Sequence, residues 1–166
     1  MLKEAVIAAA GRAEVCDAVA RIYADLLQEI DARRPKCSTS GRCCRFDEFG
    51  HRLYVTTMEL AAFVSSPGIT ARRAVAGGCP FQVEGLCSVH SARPFGCRVF
   101  FCDASSEQWQ YKQYERFHAR LRALHDAMGV PYLYVEWRHA LKELDLALPN
   151  DEQSGKISLS LPQVRL

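Results

Sequence analysis

Seven of the eight cysteines in this chain fall between Cys37 and Cys102, and that stretch decides what the chain can become. Cys37 leads into the adjacent pair Cys43-Cys44, and Cys79, Cys87, Cys97 and Cys102 follow. The surrounding text is rich in turn residues and poor in long apolar periodicity, so it needs some staple to hold a shape. Clustered cysteines offer two staples, a disulfide framework or a metal site. Thiolates are soft, polarisable ligands that suit zinc and iron–sulfur clusters.

Compartment bears on the choice. The apolar stretch from Ala5 to Ala10 is too short for a signal-peptide core, and Glu4 sits beside it. No segment approaches the roughly eighteen apolar residues of a membrane span. The expected location is the cytoplasm, where thiols stay reduced, which favours metal over disulfides. At 166 residues the chain is long enough for one domain, residues 1–166, with its own core.

The expected fold class is mainly α with a small β hairpin: two long packed helices plus a cysteine-rich metal-binding loop region, with α+β as the alternative. The first helix is expected over 4–33. Val15, Val19, Ile22, Leu26 and Ile30 recur there at helical spacing, and Pro35 marks the end. Cys16 falls on this helix and reads as a buried small hydrophobe. Residues 35–103 form the cysteine-cluster region. Within it Leu53 to Val55 suggests a short strand, and Thr56-Thr57-Met58-Glu59 has the pattern of a capping box opening a short helix. Glu84-Gly85 separates two short apolar pieces, a small hairpin with Cys79 and Cys87 near its ends. The region 106–148 is helical. Its long helix, 106–128, carries Tyr114, Phe117, Leu121, Leu124 and Met128 on one face and stops at Gly129 and Pro131. A shorter helix is expected within Val135 to Leu144. The tail, 150–166, alternates from Ile157 to Leu161 as an edge strand or a flexible end.

The cysteine segment resembles the YkgJ-type cysteine-cluster family, a zinc- or iron-chelating domain. The shared features run from residue 37 to 102: Cys37 before Cys43-Cys44, the Thr56…Glu59-Leu60 segment, Cys79-Pro80-Phe81, Cys87, Arg93-Pro94…Cys97-Arg98 and Cys102. The resemblance implies a metal-binding role for Cys37, Cys43, Cys44, Cys79, Cys87, Cys97 and Cys102. Where the family pattern is C-x2-C-x2-C-C, this chain has Ser40 at the second cysteine, and His90 replaces an aromatic residue. A Cys/His site is chemically possible, but a lone loop histidine is more often a hydrogen-bonding residue.

Four thiolates satisfy one tetrahedral zinc or one 4Fe–4S cluster. Adjacent Cys43 and Cys44 point apart if the backbone is extended. One centre with spare thiols, two ions with shared ligands, and a cluster plus a small structural site all remain open. Iron–sulfur is placed ahead of zinc, because Phe95, Phe100 and Phe101 can supply a dry shell, although the same residues serve equally as core.

The arginines and lysines near the cysteines, among them Arg42, Arg45, Arg93 and Arg98, read as a solvated face or as counter-charges to thiolates. With a formal charge of only +2 and Asp47 and Glu48 interleaved, a nucleic-acid surface ranks last. There is no Gly-rich phosphate loop and no persuasive catalytic triad. His118 and His125 share a helix face but are spaced too widely for the usual i, i+4 metal pair, and surface or capping roles are expected of them and of His139.

The expected function is therefore a metal-binding protein with a cysteine-ligated centre in a redox or structural role, its partners being the metal and a redox or protein partner. The alternatives are a zinc-stabilised protein-interaction adaptor, or a small modifying enzyme using the metal centre. The latter draws on a looser resemblance to a domain of flagellin lysine-N-methylases.

Overall fold

The structure is a computed structural model, and it describes residues 1–149. The expected strand or flexible end at 157–161 lies outside the described residues. Over these residues the fold is mainly helical, with short strands in three two-stranded sheets.

The expected helix over 4–33 is two helices, α1 (Leu2–Ala10) and α2 (Ala13–Arg33). Gly11 closes the first, and Arg12, with extended backbone, opens the second. The break lets two stripes face different partners. Leu2 and Val6 of α1 join the core that contains Leu60, Phe63 and Leu141, whereas Ile22 and Leu26 of α2 pack with Phe117 and Leu121. One straight helix would not turn both faces inward. The guanidinium of Arg12 secures the corner by donating to the Met128 carbonyl at 3.1 Å.

Helix α3 (Thr57–Val64) begins as its sequence predicts. The Thr56 side chain accepts from the Glu59 N–H while the Glu59 carboxylate accepts from the Thr56 N–H, a complete capping box. Strand β1 (Tyr54–Thr56) runs into this cap, one residue later than expected, and pairs antiparallel with β5 (Tyr134–Glu136). Helix α4 (Phe95–Val99) follows Pro94, and the long helix α5 (Glu107–Met128) follows a 3-10 turn at Ala104–Ser106. At that turn the Asp103 carboxylate accepts from the Ser105 backbone N–H at 3.0 Å. Helix α6 (Trp137–Glu143) is shorter than the expected span because β5 takes its first residues. A parallel pair, β2 (Arg72–Arg73) with β6 (Ala147–Leu148), completes the edge.

The stripes of α2 and α5 meet as expected. Ile22, Leu26, Phe117 and Leu121 are buried together with Phe95 and Val99 of α4. Of the expected stripe residues, Ile30, Tyr114 and Leu124 are only partly buried against this cluster. A second cluster joins Val15 and Val19 to Met58, Ala61 and Val130. A third, the largest, gathers Phe46, Val55, Phe63, Phe81, Trp137 and Leu141, and includes Cys44 and Cys79.

Glu59 lies where these parts meet. Besides the Thr56 N–H at 2.9 Å, its buried carboxyl accepts from the Phe95 N–H at 2.9 Å and from the Tyr23 hydroxyl at 3.4 Å. It thus joins α3 to the start of α4 and to α2. Burial pushes its pKa up, while the hydrogen bonds from Thr56, Phe95 and Tyr23 act in the opposite direction. Glu59→Ala leaves three buried donors without their acceptor and should cost about 3 kcal/mol in a denaturant-unfolding experiment. A loss under about 1 kcal/mol would show that Glu59 does not hold these elements together.

Candidate metal centre

Three short segments bring the inner thiols together. The first is the 3-10 turn Arg42–Cys44, entered through Gly41. Gly41 has φ +67°, and a Cβ there would sit 2.4 Å from both Gln82 Nε2 and the Gly85 carbonyl oxygen, so only glycine lets this turn approach the hairpin. The second is the hairpin itself, β3 (Gln82–Val83) and β4 (Leu86–Cys87), with Gln82 opposite Cys87. Glu84 and Gly85 both have positive φ, the backbone of a tight two-residue hairpin turn. The third is α4, which carries Cys97.

Backbone bonds lock the segments to one another. The Cys79 N–H donates to the Cys44 carbonyl at 2.8 Å, and the Asp47 N–H donates to that of Gly77 at 2.9 Å. Gln82 Nε2 donates to the carbonyls of Gly41 at 3.0 Å and Gly85 at 3.1 Å. Apart from the bond between Gln82 and Gly85, these are interactions between residues distant in sequence, and no local motif announces them.

The result is a group of five thiols. Cys44 and Cys79 are buried in the largest core cluster, and Cys43 and Cys87 pack against it. Cys97 completes the group, its electrostatic neighbours being Cys79, Cys43 and Cys87. Because residues 42–44 form a helical turn, Cys43 and Cys44 address the same group. The expectation that they point apart held only for extended backbone. Trp137 Nε1–H donates to Cys79 Sγ at 3.4 Å, and Trp137 itself packs with Phe63 and Phe81. The apolar wall is therefore Phe46, Phe63, Phe81 and Trp137. Phe95 belongs instead to the α2–α5 core, and Phe100 stacks on His51 at the surface. His51 Nε2 in turn donates to the Cys43 carbonyl at 3.4 Å.

The remaining cysteines lie differently. Cys37 and Cys102 are exposed, and with Cys43 and Cys87 they line a groove of about 520 Å³. Cys16 is half-buried, with its sulfur 3.6 Å from the Ser65 hydroxyl, rather than the core residue its sequence suggests. His125 is fully buried, contrary to the surface or capping role expected of it, and its Nδ1–H donates to the Val130 carbonyl at 3.1 Å. His118 bonds the Tyr132 hydroxyl at 2.8 Å. Asp47 and Glu48 pair with Arg138 and Arg45.

Electrostatics at the inner group favour a thiolate. The neighbouring Cys44 thiol is the main influence holding Cys43 at about 6 and Cys87 at about 6, with the Arg93 guanidinium helping both. Cys79 is lowered by the same partner. The value of Cys44 is raised by these interactions, and that of Cys97 chiefly by burial. Arg93 is braced toward the site by donating to the carbonyls of His90 at 3.1 Å and Cys97 at 3.4 Å.

The donor set suits a soft metal in kind and in number, with sulfur ligands, one N–H on sulfur and an aromatic wall. As the side chains stand, however, no group of three or more His, Cys, Asp or Glu among the described residues could hold a metal ion. Ligation therefore requires the thiol rotamers to close inward. No family model matches this chain, and no curated protein or solved structure matches it.

A thiol lowered on folding contributes stability that is complete above the unfolded thiol range, near 8.5, and lost as pH falls through its folded value. Cys43 and Cys87 therefore favour the metal-free fold as pH rises from about 6, whereas Cys44 and Cys97 oppose it toward higher pH. Alkylation of the metal-free protein should show one fast thiolate phase with a midpoint near pH 6. Cys44→Ala removes the neighbouring thiol and should move that midpoint up toward the ordinary value, about 8.5. An unchanged midpoint would exclude Cys44 as its cause.

Proposed function

We propose that this is a metal-binding protein in which Cys43, Cys44, Cys79 and Cys87, with Cys97 beside them, hold one thiolate-ligated centre. The observation that carries this reading is the mutual approach of these thiols around Cys44, from segments that pack through long-range backbone bonds. Membership of the YkgJ-type cysteine-cluster family is part of the proposal, and it rests on the motifs of residues 37–102. An iron–sulfur cluster, 4Fe–4S by the number of ligands, is the favoured occupant. Its sulfurs would find the Trp137 N–H, the Arg93 charge and the aromatic wall, features that tune such clusters. Four thiolates supply one tetrahedral zinc equally well, which gives the zinc-stabilised adaptor as the second reading.

The chain's own residues have separable tasks in this reading. Trp137 and Gln82 orient the hairpin and Cys79. Arg93 offsets negative charge, and Phe46, Phe63 and Phe81 keep water from the buried side. The centre itself would supply electron transfer if iron–sulfur, or structural cross-linking if zinc. Among the described residues no helix is long and apolar enough to cross a membrane. A cytoplasmic location fits thiols that must remain reduced.

Anaerobic purification followed by iron, sulfide and zinc analysis tests the proposal directly. A brown protein with about four iron and four sulfide per chain is expected. A colourless protein with one zinc would transfer the assignment to the adaptor reading, and a chain with neither metal would end it. Cys44→Ser and Cys79→Ser should each lose most of the metal, and residues 77–103 should then exchange amide hydrogens faster while α2 and α5 stay protected. Cys16→Ser should keep full metal content and change stability by no more than about 0.5 kcal/mol. Equal metal loss from Cys16→Ser and Cys44→Ser would refute the assignment of ligands.

A further inference from the structure

The groove of about 520 Å³ that Cys43 and Cys87 line has a second character besides its sulfur. Its apolar walls come from three separate segments: Leu27 and Ile30 on α2, Leu86 on the hairpin, and Phe101 after α4. Leu27 and Leu86 are each 54% exposed, large apolar side chains that the fold itself leaves uncovered. The charged residues of the lining are Arg42, Arg93 and Arg98, and no Asp or Glu is among them. None of the three guanidiniums forms an ion pair with a carboxylate among the described residues. Arg93 acts on the inner thiols, favouring the thiolate at Cys43 and Cys87. Arg98 donates to the carbonyls of Arg93 and Ser91 and lies over the Tyr23 ring, and Arg42 lies over the Phe49 ring at 4.7 Å from its centroid. These contacts hold both cations in place without neutralising them. His90, also in the lining, feels the surplus: after burial, the influences that lower its pKa are Arg93 and Arg98.

We propose that this groove binds a small amphipathic organic anion, its carboxylate or phosphate head held by the arginines of the lining and its apolar body against Leu27, Ile30 and Leu86. The volume falls within the range of small-molecule sites, about 300–1,000 Å³. Charge and apolar wall select the same molecule from its two ends. A head group without a body gains little from cations that are open to water. A neutral body leaves those cations without a counter-charge, and a nucleic acid would leave the aliphatic wall idle. Because Cys43 and Cys87 line the same groove, the bound molecule lies against the inner thiols. The assignment goes beyond the buried centre and requires no metal in it.

The probes are anilinonaphthalene sulfonate and N-phenylnaphthylamine, one aromatic body with and without an anionic group. Their binding to the reduced full-length protein is measured by equilibrium dialysis, with iron and zinc analysed in the same samples. The sulfonate should bind at least about fivefold more tightly than the neutral dye. Arg42→Glu and Arg98→Gln should each reduce that preference and leave the neutral dye unchanged; Arg42 is exposed, so its replacement does not endanger the fold. Leu27→Gln and Leu86→Gln should weaken both dyes by about fivefold. A straight-chain alkyl carboxylate and an alkyl phosphate of equal chain length then compete with the sulfonate, and the stronger competitor identifies the head group. Equal affinity for the two dyes, a preference that survives both arginine substitutions, or displacement by a short oligonucleotide but by neither amphiphile would overturn the proposal. A chain without metal that still discriminates between the dyes keeps this site and ends the buried centre. A metal-loaded chain indifferent to the sulfonate ends this site and keeps the centre.

Discussion

The carboxyl of Glu59 is the constraint on which the other parts rest. A buried carboxyl is tolerable only when donors surround it, and here those donors are the Thr56 and Phe95 backbone N–H groups and the Tyr23 hydroxyl. Each donor belongs to a different part of the fold. Thr56 ends β1 and starts α3, Tyr23 lies on α2, and Phe95 begins the short helix that carries Cys97. A capping residue, ordinarily a local device, thereby sets the distance between the helical layer and the cysteine segments. The same residues add a cation–π contact, with Arg98 over the Tyr23 ring at 4.3 Å from its centroid.

On that frame the cysteine region is built with little regular structure. Its order comes from Gly41, whose missing Cβ admits the hairpin, and from the bond between Cys79 and Cys44 that sets two cysteine-bearing turns side by side. The apolar wall from Phe46 to Trp137 is shared with the main core. The inner thiols are thus an extension of the core instead of a separate module, and anything that ties them together also fastens the hairpin to α3 and α6. Metal ligation would couple to folding most strongly at this joint.

The thiols divide by environment into an inner five and an outer two. Burial, neighbouring thiols and a braced arginine act on the inner group; Cys37 and Cys102 are exposed, and the Ser40 hydroxyl lies beside Cys102. Thiols in these two settings differ in dielectric and access. Cysteines of identical chemistry therefore meet different surroundings within a few residues of one another.

The periodicity of residues 13–33 and 107–128 was enough to place both long helices and the faces they bury, since helical spacing of apolar residues is a local property. The capping box at Thr56 and the turn at Glu84-Gly85 were legible for the same reason. The break at Gly11 was not, because it serves a choice between two packing partners that the stripe alone does not express. The cysteine spacing pointed to a site but left its membership open. Which thiols join was decided by contacts between Gly41 and Gln82 and between Cys44 and Cys79, each spanning more than thirty residues. Glu59 looked like a cap and became a junction. Trp137, with no motif about it, became the partner of the Cys79 sulfur. Local signals determine elements; only the closing of distant segments on one another determines which side chains meet, because that depends on shape and burial that no short stretch of sequence contains.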